Sequence, residues 1–300
     1  MIDLHTHTTA SDGESTPKEL VSRARAAGVE VLSVTDHDTV AAADSAAAAC
    51  ASAGIEFVPG IEITSVAEGI DVHVLGYFIE VGSPSLQAFL SAQRLRRIER
   101  VRRMIALLRQ QGVELDPDMV LRRALGDSGK TAGRPWIARA LVEAGYVDTV
   151  SEAFDRWLSR GRLAFIPSVG FPPRDVFKRI HDAGGLASLA HPGLLQRDEW
   201  LPGFATDGLD ALEAYHSQHD PDATARYLGL AARLGLATSG GSDYHGDAIH
   251  GVTGPGHVSL PRDAFEVLRN KTRGASLRQL QICRRLATIR ATASGSRTSS

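Results

Sequence analysis

The chain has 300 residues, of which 43% are apolar and 23% charged, and its formal net charge is −2. This is the composition of a globular protein with one large domain or two smaller ones. No apolar run approaches the roughly 18 residues of a membrane span, and the first residues do not read as a signal peptide. Cys50 and Cys283 lack metal-type spacing and are interpreted as free thiols. We therefore expect a cytoplasmic protein with no membrane association and no stable protein partner.

Short β-like runs alternate with helical runs from Met1 to about Tyr77, and the same rhythm returns after about Ala164. This alternation predicts βα units and a mainly parallel sheet, and about seven units favour an α/β barrel over an open sheet. The predicted strands are IDLH, VEVLSVTDH, IEFVPGIEIT, DVHVLGYF, FIPS, LASLAHPG, DGLDALEAYH and LATSGGSDYH. The predicted helices among them are PKELVSRARAAG, residues 40–54, RDVFKRIHDAG and ATARYLGLAARLG.

The middle of the chain, roughly residues 84–162, has helical patterns without convincing strands. Pro135 just inside one helix start and Ser151 ahead of another fit known helix-initiation preferences. We therefore expect an inserted helical subdomain at 85–162, within a discontinuous barrel formed by 1–84 and 163–290. Residues 291–300 are small and polar, which predicts a disordered tail.

Histidines and acids recur where the predicted strands end. His5 and His7 are two residues apart in a strand, so they project to the same side and could share a metal ion, although an HxH pair alone also fits a polar strand end. In α/β barrels the carboxyl ends of the strands converge on one mouth, so residues distant in sequence would meet there. Imidazoles and carboxylates together suit Zn, Mn or Fe. The further residues of this kind are Asp36, His37, Asp38, Glu62, His73, His191, Asp243 and His245.

Six segments resemble, in order, the successive motifs of the PHP (polymerase and histidinol phosphatase) superfamily: DLHTHTTASDG, TDHDT, PGIEIT, HVLGY, LAHPG and GSDYHG. GRPWIARAL and RGRLAFIP resemble one branch of it, the small metal-dependent phosphoesterases that include nucleoside 3′,5′-bisphosphate phosphatases and a 5′-to-3′ exoribonuclease. The resemblance spans about residues 1–260. It implies a distorted (β/α)7 barrel of the PHP type with a centre of three divalent metal ions, manganese first and zinc or iron as alternatives.

The resemblance also implies how the ligands are shared. One metal would lie between His5, His7, Glu62 and Asp243, and Glu62 would bridge to a second metal held by His73 and His191. The third would be held by Asp12, His37 and His245. Without the resemblance, Asp12-Gly13 is an ordinary turn.

Such a centre predicts hydrolysis of a nucleotide phosphate ester by a metal-activated hydroxide, held by Glu62, Asp243 and His191. The expected substrates are a 3′,5′-bisphosphonucleoside, which would lose its 3′-phosphate, or short 5′-phosphorylated RNA trimmed from the 5′ end. Two alternatives stay open, namely histidinol phosphate phosphatase and a non-catalytic metal-binding PHP module.

Arg134 is the leading candidate for substrate contact, because a guanidinium matches phosphate with two parallel donors. His216 and His219 could touch phosphate or base. Trp136 stands where relatives commonly have histidine, and it either stacks on a nucleobase or belongs to the core of the inserted helices. Asp36 and Asp38 either orient an imidazole or cap a helix.

The run RLRRIERVRR, residues 94–103, either presents basic side chains to a polyphosphate or RNA or forms a solvated amphipathic helix. The second interpretation fits better, because an apolar stripe accompanies the arginines. The stripe consists of Leu90, Ile98, Val101, Ile105 and Leu108.

Overall fold

The computed structural model describes residues 1–126, 129–246 and 251–272 of the chain. Seven strands form one sheet in the order of the sequence, which confirms the predicted α/β barrel architecture. The strands are β1 (Ile2–Asp3), β2 (Val31–Val34), β3 (Glu56–Ala67), β4 (Ile70–Tyr77), β5 (Leu186–Leu189), β6 (Ala211–His216) and β7 (Ala237–Gly241). The helices are α1 (Pro17–Ala26), α2 (Ala43–Ala53), α3 (Pro84–Gln110), α4 (Pro117–Gly126), α5 (Arg134–Glu143), α6 (Val150–Ala153), α7 (Pro173–Asp182), α8 (Pro192–Leu195), α9 (Leu201–Asp207) and α10 (Pro221–Leu234).

The first and last strands come together and nearly close the sheet into a barrel. The Leu4 amide donates to the Gly240 carbonyl at 3.2 Å, and Thr6 forms a parallel bridge with Tyr244. Beyond these strands the Asp243 amide donates to the His5 carbonyl at 2.8 Å. The two chain segments that carry His5, His7, Asp243 and His245 are therefore held side by side.

The sheet is mainly parallel, as predicted, with one antiparallel strand. Four strand pairs are parallel, whereas β4 runs antiparallel to both β3 and β5. A two-residue loop joins β3 to β4, and its residues Glu68 and Gly69 have φ of 50° and 72°. Two consecutive positive φ values are those of a type I′ turn, which matches the twist of a hairpin. No helix separates these strands in the sequence, so a crossover could not make them parallel.

Two local predictions are wrong. FIPS (165–168) is irregular rather than a strand: Pro167 has no N–H for a ladder, and the Ile166 carbonyl accepts from Arg100 Nε at 2.8 Å. Ser151 lies inside α6 rather than ahead of it, because the Thr149 side chain caps that helix by accepting from the Glu152 amide. Pro135 does lie in the first turn of its helix, as predicted.

The insertion has a hydrophobic core of its own. A cluster of buried side chains between residues 101 and 164 joins α3, α4, α5 and the helical turns after them. The first half of α3 packs instead against the barrel core, through Leu86, Phe89 and Leu90. The predicted apolar stripe of α3 is therefore confirmed, and this one helix belongs to both cores. No helix among the described residues is long and apolar enough to cross a membrane. The predicted tail at 291–300 lies outside the described residues, as does Cys283.

Candidate metal centre

All nine residues that the sequence predicts as metal ligands meet at the mouth of the barrel. His5, His7 and Asp12 follow β1, and His37 follows β2. Glu62 and His73 lie on the antiparallel pair β3 and β4. His191 follows β5, and Asp243 and His245 follow β7. Among the described residues, donor atoms of eight of these nine and of His216 form four overlapping groups, in each of which the atoms lie within 4.8 Å of one another; His191 is in none of the four. The groups are His7–Asp12–His37–His245, His5–His216–Asp243, His5–His7–Glu62 and His37–Glu62–His73.

Glu62 is at the centre of this cluster and is only 1% exposed. One carboxylate oxygen faces the imidazoles from β1 and β2, and the other faces those from β4 and β5. The distances from Oε2 are 3.4 Å to His5 Nε2, 3.3 Å to His7 Nε2 and 3.0 Å to His37 Nδ1, and those from Oε1 are 2.9 Å to His73 Nδ1 and 3.2 Å to His191 Nε2.

The two aspartates complete the cluster on either side of Glu62. Asp243 Oδ1 lies 3.3 Å from His5 Nε2 and 3.2 Å from His7 Nε2. Asp12 Oδ1 lies 3.4 Å from His245 Nε2, and Asp12 Oδ2 lies 3.6 Å from His37 Nε2. Each carboxylate is thus shared by at least two imidazoles, which is the arrangement that ligands have around neighbouring cations.

Several of these buried atoms lack a hydrogen bond among the described residues. They are His7 Nδ1 and Nε2, Asp12 Oδ1, His37 Nδ1 and His73 Nδ1. A buried polar atom without a partner is costly, so such atoms point to a ligand that satisfies them. Imidazole nitrogens and carboxylate oxygens in one place are the donors that first-row divalent cations take. The residues therefore fit a divalent metal centre.

The three carboxylates remain ionised. Burial raises the pKa of each, but facing histidines outweigh burial and hold the pKa values of Asp12, Glu62 and Asp243 well below the usual range. The cluster consequently offers three negative charges to cations.

The imidazoles of the cluster fall into two groups, with lowered and with raised pKa values. Burial lowers the pKa of His37 well below its usual value and also lowers that of His191, so both are neutral. Burial also opposes the charge on His5 and His7, but nearby carboxylates raise the pKa of His5 well above its usual value and that of His7 to about 10. A metal that binds here must therefore displace protons from the imidazoles of β1.

Two predicted ligands have strained backbones. His191 has φ of 28° and Asp243 has φ of 54°, both in the left-handed region that non-glycine residues rarely adopt. Such a conformation costs about 1–3 kcal/mol and persists only where the surroundings enforce it. Here the Asp243 amide donates to His5, and the His191 amide donates to Glu213 Oε2 at 2.7 Å. Strain at these two positions supports a functional role.

Comparison with known proteins agrees with this geometry. The model of the PHP domain family matches residues 3–122. A 5′-3′ exoribonuclease Rnm from Salmonella typhimurium is 36% identical over 81% of this chain and 84% of its own length. A 3′,5′-nucleoside bisphosphate phosphatase from Chromobacterium violaceum is 34% identical over 81% of this chain and 87% of its own.

The chain belongs to the PHP family. A crystal structure from Bifidobacterium adolescentis, described as one of the metal-dependent phosphoesterases, superposes with a TM-score of 0.81 at 35% identity. It covers 89% of this chain and 94% of that one. The metal-dependent phosphoesterase fold therefore extends over nearly the whole chain, insertion included.

Glu213 is a residue of the candidate site in this PHP chain that the sequence analysis did not single out. Its carboxylate is fully buried on β6; Oε1 accepts from His5 Nδ1 at 2.9 Å and Oε2 accepts from the His191 amide. His5 therefore carries its proton on Nδ1 and turns Nε2 towards Glu62 and Asp243. The only sequence signal was an acid among apolar neighbours in LDALEAYH, and its partners lie 208 and 22 residues away.

Within the described part of the chain, Asp36 and Asp38 neither hydrogen-bond to an imidazole nor cap a helix, contrary to both interpretations of the sequence. Asp36 accepts from the Thr8 amide, the Thr8 hydroxyl and the Ser11 hydroxyl, all at 2.7 Å. Asp38 accepts from the Thr64 amide at 3.0 Å and from Arg97 Nε at 2.5 Å. Asp36 thus fixes the loop that leads to Asp12, and Asp38 fastens α3 to the barrel.

The two histidines predicted to touch substrate are engaged by the protein itself. His216 Nδ1 accepts from the Gln218 amide at 3.2 Å, and its Nε2 lies 3.4 Å from Asp243 Oδ2. His219 Nε2 accepts from the Gly193 amide at 3.1 Å, while Nδ1 donates to the Ala214 carbonyl at 3.0 Å. This geometry favours positioning of Asp243 by His216 and of the loop after His191 by His219.

The structure places Arg134 and Trp136 at the first turn of α5. The Arg134 guanidinium lies over the rings of Phe154 and Phe165, at 5.8 and 5.7 Å, and 3.9 Å from Asp71. Trp136 is 7% exposed within the insertion core, and its indole N–H donates to the Ser11 carbonyl at 3.0 Å. The core interpretation of Trp136 is therefore correct, with a hydrogen bond to the barrel in addition.

The metal centre opens into a cavity of about 380 Å³ between the barrel and the insertion. The barrel contributes predicted ligands such as Asp12, Glu62 and His191. The insertion contributes the apolar Val150 and Phe154 and a second residue that sequence reasoning missed, Arg139.

Proposed function

We propose that this protein is a metal-dependent phosphoesterase that hydrolyses a nucleotide phosphate ester. Its substrate is a 3′,5′-bisphosphonucleoside, which loses the 3′-phosphate, or short 5′-phosphorylated RNA that is trimmed 5′ to 3′. The observation that carries this proposal is the crowding of imidazoles and carboxylates around Glu62 at the floor of the cavity. The relatives named for an exoribonuclease and a bisphosphate phosphatase support the substrate class.

The proposed centre holds three divalent ions, with manganese as the first candidate. The distances support His5, His7, Glu62 and Asp243 around one ion, and Asp12, His37 and His245 around another. His73 and His191 both face Glu62 Oε1, which supports a third ion bridged by Glu62.

Divalent cations at this place would neutralise phosphate oxygens and lower the pKa of water, so that hydroxide is present at neutral pH. The chain's own residues fix the geometry of the attack. Glu62, Asp243 and His191 face the open cavity, where they would hold the cations that supply the hydroxide, while Glu213 and the strained backbones hold these side chains in place.

The insertion provides contacts for the rest of the substrate. Arg134 is the proposed ligand for a second phosphate. Burial lowers the pKa of its guanidinium, and the carboxylate of Asp71 raises it. The nearby positive charges of Arg97 and Arg160 lower this pKa further. A phosphate dianion placed there would relieve this repulsion. Phe154 and Leu194 line the same cavity as the metal ligands and offer an apolar surface to a base. A cavity of about 380 Å³ suits one nucleotide.

The test is a set of parallel assays on the purified protein after elemental analysis of its metal content. The substrates are adenosine 3′,5′-bisphosphate, short 5′-phosphorylated RNA and histidinol phosphate. We expect turnover of one or both nucleotide substrates and loss of activity in His191→Ala, with reduced metal content. Turnover of histidinol phosphate alone would contradict the proposal, and no turnover by fully metal-loaded protein would indicate a non-catalytic module.

A further inference from the structure

The insertion contacts the loop that carries Asp12 through three consecutive carbonyl groups. The Thr131 amide donates to the Ala10 carbonyl at 3.1 Å. The Trp136 indole N–H donates to the Ser11 carbonyl at 3.0 Å, and Arg139 Nη2 donates to the Asp12 carbonyl at 2.6 Å. Three donors within nine residues of the insertion thus bind three neighbouring acceptors of one barrel loop.

The same stretch also binds the segment that carries His37. Thr131 Oγ1 donates to the His37 carbonyl at 2.6 Å, and the Thr39 hydroxyl donates to the Gly129 carbonyl. Asp12, His37 and His245, together with His7, form one of the four donor groups of the centre. The segment 129–139 therefore binds the backbone next to two of that group's ligands.

These contacts act on the position of the ligands rather than on their charge. Each donor binds a main-chain carbonyl and leaves the carboxylate and imidazole free to face the cavity. From the barrel side, Asp36 binds Thr8 and Ser11 and so fixes the beginning of the loop. The carbonyls of Ala10 and Asp12 accept only from the insertion among the hydrogen bonds of the described residues. The position of Asp12 therefore depends on α5 and the residues before it.

We propose that Trp136 and Thr131 are positioning residues for the metal subsite of Asp12 and His37, so that the insertion determines how tightly this subsite binds its cation. The inference rests on the proposed function in taking Asp12 and His37 as metal ligands. It also gives a role to Trp136, whose indole N–H connects the insertion to the loop that carries Asp12.

The experiment measures Mn²⁺ binding directly, by titration of metal-free protein and by elemental analysis after desalting. Trp136→Phe removes the indole N–H and keeps an aromatic ring, and Thr131→Val removes the hydroxyl at nearly constant volume. We expect each variant to bind one Mn²⁺ equivalent about tenfold more weakly than wild type, the lower end of what loss of such a supporting contact typically costs. The remaining equivalents keep their affinity.

Two further variants make the result specific. Trp157→Phe is the matched control, because Trp157 packs in the same insertion core and its buried indole N–H has no hydrogen bond within the described chain. This variant should bind Mn²⁺ as wild type does, although it loses the same side-chain atoms as Trp136→Phe. Asp12→Asn identifies the subsite: it should weaken the same equivalent, and adding Trp136→Phe to it should cause no further loss.

Equal Mn²⁺ binding by Trp136→Phe, Thr131→Val and wild type, with Asp12→Asn defective, would overturn this inference and leave the proposed function intact. Equal weakening in Trp157→Phe would also overturn it, since the cause would then be packing alone. An Asp12→Asn protein that binds every equivalent normally would instead contradict the ligand assignment on which the proposed function rests. Because metal binding is measured without substrate, absence of turnover does not affect the result.

Discussion

Glu213 shows how one buried side chain can position two predicted metal ligands that follow different strands. Its two oxygens accept from His5 Nδ1 and from the His191 amide. In Glu213→Gln the amide NH2 must face one of these two donors, so one hydrogen bond is lost and two donors oppose each other. We expect about 10- to 100-fold weaker metal binding, with a parallel loss of activity. Metal titration and steady-state assays measure both.

The chain provides a matched control in Asp210. This carboxylate also accepts from one imidazole and one amide, His181 Nε2 at 2.7 Å and Ala187 at 2.9 Å, but it precedes β6 at the far end from the centre. Asp210→Asn should change the free energy of unfolding and leave the metal affinity unchanged. If both variants bound metal like wild type, Glu213 would have a structural role only.

Gly241 is required by a close approach of two backbones. A Cβ atom there would lie 2.3 Å from the His5 amide nitrogen and 2.5 Å from His5 Cβ. Gly241→Ala must push β7 away from β1, and we expect a free energy of unfolding lower by about 1–3 kcal/mol or more. Urea unfolding measures it. Gly203→Ala is the control: it has open space in α9 and should gain up to about 1 kcal/mol. Equal stability of wild type and Gly241→Ala would show that the strands separate without cost.

At the scale of elements, α2 illustrates how an alanine-rich helix protects a thiol. Cys50 is fully buried between α1, α2 and the neighbouring strands, and burial raises its pKa to about 11. The folded state favours the neutral thiol, so this contribution to stability is complete below the unfolded thiol's pKa, about 8.5, and is lost as the pH rises towards 11.

The prediction is that native Cys50 resists modification. In a Cys283→Ser background, a disulfide reagent at pH 8 should label the native protein at least about 100-fold more slowly than the urea-unfolded protein, because little thiolate is present and access is closed. Spectrophotometric labelling rates provide the measurement. Comparable rates in the two states would mean that α2 opens readily.

The elements show which parts of the fold follow from sequence. The helices with clear apolar periodicity, such as α3 and α7, lie where predicted, because burial of one face selects both the helix and its partner. The strand prediction for FIPS is wrong because its β-like side chains do not show that Pro167 interrupts the hydrogen-bond ladder. Nor do they show that Arg100 binds the Ile166 carbonyl. The antiparallel direction of β4 was not predicted; its one sign in the sequence is that no helical segment separates β3 from β4.

The sequence indicates which predicted metal ligands come together in space, but it does not indicate the contacts that hold them in place. Strand ends of a barrel converge, so histidines and acids at such ends could be grouped in advance. Glu213, Arg139 and the Trp136 hydrogen bond could not be anticipated, because their partners are 22 to 208 residues away and are fixed only by packing. Sequence patterns report the period of an element, whereas such contacts depend on where the elements meet.

At the scale of the whole molecule, two cores meet at one cavity. The barrel core holds the strands, the insertion has its own core, and α3 passes through both. The cavity between them is lined by predicted metal ligands on one side and by Arg139, Val150 and Phe154 on the other. Motion of the insertion relative to the barrel would therefore change both the substrate surface and the Asp12 subsite.

Removal of metal tests the whole arrangement at once. A cation that binds only the native state stabilises it by RT ln(1 + [L]/Kd), about 2.7 kcal/mol per site when the free metal is 100 times Kd. For a chain of this size, each kcal/mol raises Tm by about 2–4 °C. We therefore expect chelation with EDTA to lower Tm by at least about 5 °C, and added Mn²⁺ to restore it.

The same measurement at lower pH tests whether protons weaken the stabilisation by metal. Protons compete with metal for the imidazoles, so the difference in Tm between Mn²⁺-loaded and EDTA-treated protein should shrink as the pH falls from 8 to 5. His191→Ala, which lacks one ligand, should show a smaller difference than wild type at pH 8. Identical melting curves with Mn²⁺ and with EDTA at pH 8 would mean that the strained backbones and unpaired imidazoles at the barrel mouth serve some purpose other than holding cations.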